Sequence, residues 1–418
     1  MAGAVDTVVV GGGQAGLSAS YHLTRHGREH VVLEQGRVGE TWRTRRWDGF
    51  RLNTPNLFLQ LPGHAYDGDD PEGFLTRDET VAYLERYAGI AQAPLVTGVR
   101  VSSARPRPEG GFALETSDGT LEAANLVVAT GAFQQAAPPA VSGDVPADVL
   151  QLHSGDYVRP EQLPPGAVLV VGNGQSGCQV AGELNRSGRQ VFLSVGRCPS
   201  VPLYYRGRQF GVWAIELGLM DDSVESLPSP SARLAGNPTI SSDEIEHLCG
   251  PRRLARQGVV LVGRLVAVEG SKAIFRPDLD ERLAESDEFV ARFRQRVDDH
   301  VRAAGLDAPE EASPARAPVD ANEVRELDLR VAGVQTIVWA NGYRPDFGWI
   351  EPRIVDADGW PIHTRGVTSV PGLYFVGLHW LSKRKSALLL GVGEDAEHVV
   401  SALVGASRSR RPLMPERA

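Results

Sequence analysis

The sequence predicts an α/β protein with two Rossmann-like dinucleotide-binding domains, the second inserted in the first. Three observations carry this reading. A β-branched run over residues 5–10 enters the turn Gly11-x-Gly13-x-x-Gly16, a helical pattern follows over 17–25, and a second strand, 31–33, ends on Glu34. The same order returns as a strand at 168–171, the turn Gly172-x-Gly174-x-x-Gly177, a helix at 178–185 and a strand at 190–195. Beyond the second unit, runs at 336–345 and 370–380 read as strands ending in small residues, which suits a chain that returns to close its first domain. The division that follows is 1–160 and 331–418 for the first domain and 161–330 for the second.

Each residue type in the first unit has a physical task. Gly11 permits the tight turn, Gly13 lets the backbone approach a pyrophosphate, and Gly16 lets the helix pack close to the strand. The helix start, Gln14-Ala15, offers free N–H groups and partial positive charge to the phosphates. Glu34, followed by Gln35, stands where a carboxylate accepts hydrogen bonds from ribose hydroxyls. Gly172, Gly174 and Gly177 repeat the glycine tasks, with Gln175 and Ser176 opening the helix. Here, however, residues 193–197 contain no acid, and Arg197 follows the strand. An arginine suits a ribose 2′-phosphate that an acid would repel; Arg206 and Arg208 lie close enough in sequence to assist. This contrast assigns FAD to the first unit and NADPH to the second.

Composition narrows the class. The chain has 418 residues, 42% hydrophobic and 23% charged, and a net charge of −9. That is the make-up of a globular protein with more than one domain, and the acidic balance disfavours nucleic acid or anionic membrane as partner. The N-terminus shows no basic segment followed by an apolar core, and no run approaches the ~18 apolar residues of a membrane span. Cys178, Cys198 and Cys249 are far apart with no CxxC, which argues against a disulfide framework, a zinc knuckle or a redox dithiol; each is read as a small packed residue. The ten histidines show no metal-ligand spacing. The compartment expected is the cytoplasm.

Between these landmarks the chain reads as follows. Residues 35–56 form a long polar-aromatic connection, of the sort that carries function beside a nucleotide site. Residues 77–88 are an amphipathic helix with Val81, Leu84 and Tyr87 on one face. Residues 96–101, 112–116 and 120–123 form a small antiparallel excursion that turns at 117–119, and 126–132 is a buried strand that brings Thr130 and Gly131 to the carboxyl edge of the first sheet. A proline-rich passage, 138–165, marks the boundary. Strands are read at 259–268 and 272–275. A helix over 278–304 repeats Phe289, Phe293, Val297 and Val301 every four residues, a face packed on its own domain. Residues 308–318 are a loop or linker, and 388–400 a closing helix.

The whole chain resembles the class B flavoprotein monooxygenases, the bacterial branch of the flavin-containing monooxygenase family. The resembling residues are the two fingerprints, Gly39-Glu40-Thr41-Trp42, His153-Ser154-x-x-Tyr157, and Ala340-Asn341-Gly342-Tyr343, which is similar to the family's Ala-Thr-Gly-Tyr. Baeyer–Villiger members carry Phe-x-Gly-x-x-x-His-x-x-x-Trp; Ala147, Val149 and Tyr157 stand at the three other positions around His153. The chain is thus nearer the nitrogen- and sulfur-oxygenating members. The resemblance implies that NADPH reduces FAD, that O2 adds at flavin C4a, and that the resulting (hydro)peroxide gives one oxygen atom to a small organic substrate at nitrogen or sulfur. The alternatives are Baeyer–Villiger ketone oxygenation and an NADPH-dependent flavin oxidase or reductase.

The resemblance also places Arg51, Asn53 and Thr54, with Thr41 and Trp42, beside flavin and nicotinamide, where an amide donor steadies the reacting oxygen. His379, Arg384 and Lys385 follow the last strand and are candidates for contact with flavin or its phosphates. Asn341, Gly342 and Tyr343 belong to the cofactor set, while His153 and Tyr157 brace the linker and the nicotinamide site. The partners implied are a small-molecule substrate and O2, with a second copy of the chain as a possible homodimer partner.

Overall fold

The computed structural model describes residues 4–240, 250–311 and 324–409. The first unit opens with strand β1 (Ala4–Val10), helix α1 (Gln14–Arg25) and strand β2 (His30–Glu34). The connection after Glu34 is more ordered than its sequence predicts. It holds the short helix α2 (Glu40–Thr44) and a 3-10 turn at Asn56–Phe58 before helix α3 (Arg77–Ile90), whose start is fixed by a Thr76/Glu79 capping box. Val81, Leu84 and Tyr87 of α3 are buried, as their spacing predicts.

The next stretch corrects the sequence reading in two places. Residues 96–101 are not one strand: β3 (Leu95–Thr97) runs parallel to β2, and β4 (Val101–Pro106) pairs antiparallel with β5 (Phe112–Thr116). Gly98, at φ +77°, turns the chain between them. Residues 120–123 and 126–128 are instead one ten-residue strand, β6 (Gly119–Val128), antiparallel to β5 at its start and parallel to β1 along its length. The sheet order is β3-β2-β1-β6-β5-β4, with the late strand Leu373–Phe375 also against β6.

The second sheet starts inside the proline-rich passage. Strand β7 (Leu150–His153) pairs not with the first sheet but with a strand near residue 336. Then come β8 (Ala167–Val171), α4 (Gln175–Arg186) and β9 (Val191–Ser194), followed by α5 (Phe210–Glu216) and α6 (Gly250–Arg256). The predicted strand 259–268 is split into β10 (Val260–Val262), parallel to β9, and β11 (Leu265–Glu269), antiparallel to β12 (Lys272–Phe275). The break falls at Gly263, where a methyl group would lie 2.0 Å from the Arg276 carbonyl oxygen. Helix α7 (Leu279–Ala304) and strands β13 (Glu326–Asp328) and β14 (Val334–Trp339) complete the unit. The five strands are ordered β7-β14-β8-β9-β10, all parallel. The strand read as part of the returning segment at 336 therefore belongs to the second sheet, and the chain re-enters the first one only after residue 339. Cys249 and residues 312–318 of the expected linker lie outside the described residues.

The return is made by β15 (Leu373–Phe375) and α8 (Val392–Ser409). The strand is shorter than 370–380 because Pro371 cannot donate to a ladder and Gly377, at φ +81°, turns away; the helix begins four residues later than predicted. The parallel strands of both sheets are covered on both faces, as such strands require. On β1, Val9 faces one hydrophobic cluster while Val8 and Val10 face another. On β8, Val168 and Val170 join the cluster that holds Val9, so the two units share one core. Trp47, Tyr157 and Leu184 lie at this junction.

Glu183 of α4 reaches the same junction, where a methyl on Gly49 would lie 2.7 Å from its carboxylate. Burial pushes the Glu183 carboxyl up to about 7, against the lowering pull of the Tyr157 hydroxyl. A carboxyl raised in the folded state binds its proton more tightly there. Its destabilising effect is thus absent near pH 4.5, its unfolded value, and grows as pH rises towards 7. Glu183→Gln removes that dependence: with the shift discounted for partial solvent screening, the variant gains about 2 kcal/mol over wild type at pH 8 and almost none at pH 4. Denaturant unfolding at the two pH values measures this, and an equal difference at both refutes the assignment.

Candidate functional site

The two glycine turns are built alike, atom for atom in several respects. The Gly11 N–H donates to the Leu33 carbonyl at 2.8 Å, and the Gly172 N–H to that of Ser194 at 3.0 Å. Gly11 has φ +112° and Gly172 +109°. A methyl on Gly11 would lie 2.5 Å from the Ala129 carbonyl oxygen, and one on Gly172 would lie 2.6 Å from that of Ala340. A methyl on Gly16 or Gly177 would lie 1.8 Å from the carbonyl oxygen of Gly11 or Gly172. Only glycine fits at these four positions.

Gly13 and Gly174 are different: no heavy atom lies within 4 Å of where their methyl groups would go. Each is the N-cap of its helix, and neither helix has a side-chain cap bond or an acid in its first turn. The first N–H groups of α1 and α4 thus open onto free space, the arrangement that receives an anion. Two cradles a side chain would fill, each at an uncapped helix start, fit the phosphates of a dinucleotide.

The sequence equates the two units only in part; the structure extends the match. By ladder register, Glu34 corresponds to Val195, since Val10 pairs with Leu33 and Val171 with Ser194. Glu34 accepts the N–H groups of Gly12 at 2.7 Å and Gly36 at 2.9 Å. In the second unit the tie runs the other way. The Asn173 side chain accepts the Gly196 N–H at 2.8 Å and donates to the Cys198 carbonyl at 3.1 Å. Asn173 thereby fixes the loop that carries Arg197, whose side chain is exposed. The sequence reading missed Asn173; its signal was the one non-glycine residue inside the second Gly-x-Gly.

Ala129-Thr130-Gly131 and Ala340-Asn341-Gly342 also correspond. The Ala129 and Ala340 N–H groups donate to Val10 and Val171, each at 2.9 Å, and Gly131 and Gly342 have φ +70° and +80°. Gln14 and Gln175 each clamp an arriving segment over the cradle: the Gln14 amide donates to the Ala387 carbonyl at 2.7 Å, and Gln175 exchanges two bonds with the Ile240 backbone at 2.7 and 2.9 Å. Gly377 packs with its Cα against Ala15, where a methyl would approach to 2.4 Å. Gln35 is exposed, and Ser176 is half-buried in the first turn of α4.

Rings bridge the two cradles. Phe133 lies 5.0 Å from His379 and 5.5 Å from Tyr343, and Tyr343 lies 4.7 Å from His153. The His153 Nδ1 accepts the Gly155 N–H at 3.1 Å, so its Nε2–H donates to the Gly342 carbonyl at 3.0 Å. Both nitrogens are engaged and burial lowers its pKa, which leaves His153 a neutral brace. Burial likewise lowers His379. Arg46, missed in the sequence, stacks over Trp42 and Phe50 at 5.1 and 5.5 Å and faces Tyr343. Trp42 is half-buried and Thr41 exposed on α2.

Three predicted site residues are placed elsewhere. Arg206 is committed to Asp298 at 2.9 Å and to the carbonyls of Ala308 and Pro309, so three of its five N–H donors brace α7 and the segment after it, and its charge is already paired. Lys385 is buried between Glu394 at 2.5 Å and Asp221 at 3.0 Å. It borders an open depression of about 530 Å³ with His22 and Glu397, where acids would repel phosphate. Arg51 is exposed and donates to the Phe74 carbonyl at 3.2 Å. Arg208 pairs with Glu216 at 2.6 Å, and Arg384 with Asp222 at 2.8 Å. Asn53 and Thr54, by contrast, line a cavity of about 270 Å³ with Phe58, Phe210, Met220 and Leu388.

A comparison with known proteins fits this geometry. The chain is 33% identical over 403 residues to an uncharacterized CzcO-like oxidoreductase of Geobacillus kaustophilus, covering 96% of this chain and 98% of the relative. It belongs to the CzcO-like oxidoreductases. Residues 8–200 of this CzcO-like chain also match the pyridine nucleotide-disulphide oxidoreductase family. Over 199 residues, 45% of this chain and 47% of the other, it is 31% identical to an indole-3-pyruvate monooxygenase of rice. Its fold matches that of a flavin-containing monooxygenase from Stenotrophomonas maltophilia with a TM-score of 0.68 at 20% identity, over 97% of this chain and all of that one. The class B monooxygenase resemblance therefore holds for the fold, and the two-unit α/β architecture is shared. Among the described residues no helix is long and apolar enough to cross a membrane.

The glycine geometry separates folding from binding. Gly16→Ala forces a methyl into a carbonyl oxygen and lowers stability by about 2–3 kcal/mol, whereas Gly13→Ala leaves thermal stability within about 0.5 kcal/mol and weakens dinucleotide retention roughly 10-fold or more. Melting curves and cofactor content of the purified variants check the pair; equal melting losses contradict it.

Proposed function

We propose that this CzcO-like chain is an NADPH- and O2-dependent FAD monooxygenase that oxygenates nitrogen or sulfur in a small organic substrate. The observation that carries the proposal is the pair of open glycine cradles, one ending on an acid and the other followed by an exposed arginine, with an apolar cavity behind Asn53 and Thr54. The first unit holds FAD, and the second holds NADPH. Bound flavin, once reduced, supplies the chemistry that activates O2.

The chain's own residues do the rest. Gly13 and the α1 N–H groups receive the FAD pyrophosphate, and Glu34 accepts the ribose hydroxyls while its own backbone bonds hold the carboxylate still. Gly174 and the α4 N–H groups receive the NADPH pyrophosphate. Arg197, positioned by Asn173, pairs with the 2′-phosphate. Asn53 offers an amide N–H at the cavity wall to a developing negative charge, while Phe58, Phe210 and Met220 exclude water from it. His153 is a positioning residue, since it is neutral and doubly bonded; it holds Gly342 and Tyr343 rather than carrying a proton. The match to an indole-3-pyruvate monooxygenase over 45% of this chain supports this reading.

Arg197→Ala lowers the NADPH-to-NADH ratio of kcat/KM by roughly 10-fold or more; an unchanged ratio removes the 2′-phosphate role. The activity itself is tested by NADPH oxidation under ¹⁸O2 with panels of amines, sulfides and ketones. Label in an N- or S-oxygenated product is the expected result. NADPH consumption that yields only hydrogen peroxide refutes the monooxygenase reading, and labelled ester favours ketone oxygenation.

A further inference from the structure

Helix α7 presents Phe289, Arg292, Phe293 and Arg296 at spacings of three and four, hence on one helix face. All four line the cavity that Asn53 and Thr54 enter. The sequence shows the phenylalanine stripe, but not that its arginines share a wall with a loop more than two hundred residues away. Phe210 and Phe293 sit 5.1 Å apart at 51°, and with Phe58 they make the floor aromatic.

The charge on this wall is mostly positive, since its one acid, Asp222, is paired with Arg384. Arg384 also borders the cavity, but it is satisfied by Asp222 at 2.8 Å. Among the described residues Arg292 pairs only with Glu288, 3.9 Å away, where both side chains are about two-thirds exposed. Arg296 is exposed and makes no ion pair among the described residues. Two exposed guanidiniums at the rim of an aromatic cavity, one with a long exposed pair and one with none among the described residues, stand out on a chain of net charge −9. A guanidinium pair matches the planar fork of a carboxylate, repels an ammonium group, and gives nothing to a neutral tail.

We propose that the cavity selects small aryl carboxylates: the ring packs among Phe58, Phe210, Phe289 and Phe293, and the carboxylate is held at the rim by Arg292 and Arg296. The reactive atom then lies between ring and carboxylate, towards Asn53 and Thr54. This assignment rests on the reading of that cavity as the place where substrate is oxygenated, and it adds the class of molecule. The volume, about 270 Å³, suits one ring with a short chain.

The test uses purified holoprotein and two probes of equal shape, (phenylthio)acetate and (phenylthio)acetamide. Calorimetry is expected to show the acid binding at least 10-fold tighter than the amide, with that preference lost in Arg292→Gln/Arg296→Gln and reduced in 0.5 M salt, which screens rim charges. Phe289→Ala weakens both probes alike. Equal affinity of acid and amide in wild type, or a preference that survives the double substitution, overturns the proposal. Sulfoxide formation is read separately. Arginine-dependent binding without sulfoxide sustains the carboxylate site and removes the monooxygenase reading. Equal sulfoxidation of acid and amide sustains the monooxygenase and removes the carboxylate site.

Discussion

Two backbone carbonyls carry the architecture. Ala129 and Ala340 each follow a buried parallel strand and each place an oxygen against a glycine turn, 2.5–2.6 Å from where a methyl on Gly11 or Gly172 would sit. Any side chain there would push the crossing strand away and open the sheet at its carboxyl edge. The contact has no hydrogen bond and contributes little energy of its own. It sets how closely strand, turn and helix approach, and so where the helix N–H groups point. Everything that makes the cradles useful follows from that closeness, including the vacant space at Gly13 and Gly174.

Around this constraint the two units diverge in the side chains that secure it. In the first, the acid at the end of β2 reaches back to the turn; in the second, the turn's own Asn173 reaches forward to the loop after β9. Both solutions satisfy backbone N–H groups that would otherwise be buried without partners. They leave opposite charges at the mouth, since a carboxylate remains beside the first cradle and a guanidinium beside the second. On the function proposed above, it is this difference in a structural hydrogen bond that assigns the two dinucleotides to their units.

Much of this was legible in the sequence, for physical reasons that differ from element to element. The glycine turns were readable because only glycine fits, and α3 because Thr76, Glu79 and its apolar spacing agree. Strand limits were harder. Residues 96–101 and 259–268 look continuous, since a β-branched run does not announce that Gly98 or Gly263 sends its halves into different pairings. Arg206 and Lys385 were misplaced for another reason. A cation near a phosphate motif has no sequence mark that says whether an acid, Asp298 from a distant helix or Glu394 from the next one, has already taken it. Asn53 and Thr54 were named, but their cavity was invisible, because its walls come from α5, α7 and the segment before α8.

The bond from Gln14 to the Ala387 carbonyl, with β15 laid beside β6, has a consequence for how the molecule is made. The strands of the second, inserted (inner) sheet all lie between residues 150 and 339, while the first (outer) sheet needs residues 373–375 and its clamp needs 387. A chain emerging from the ribosome N-terminus first therefore has every strand of the inner sheet in hand before the outer sheet is finished. The first glycine turn, although it precedes the second in the chain, is closed after it, so a tightly held prosthetic group is locked in only after residue 387 has been made.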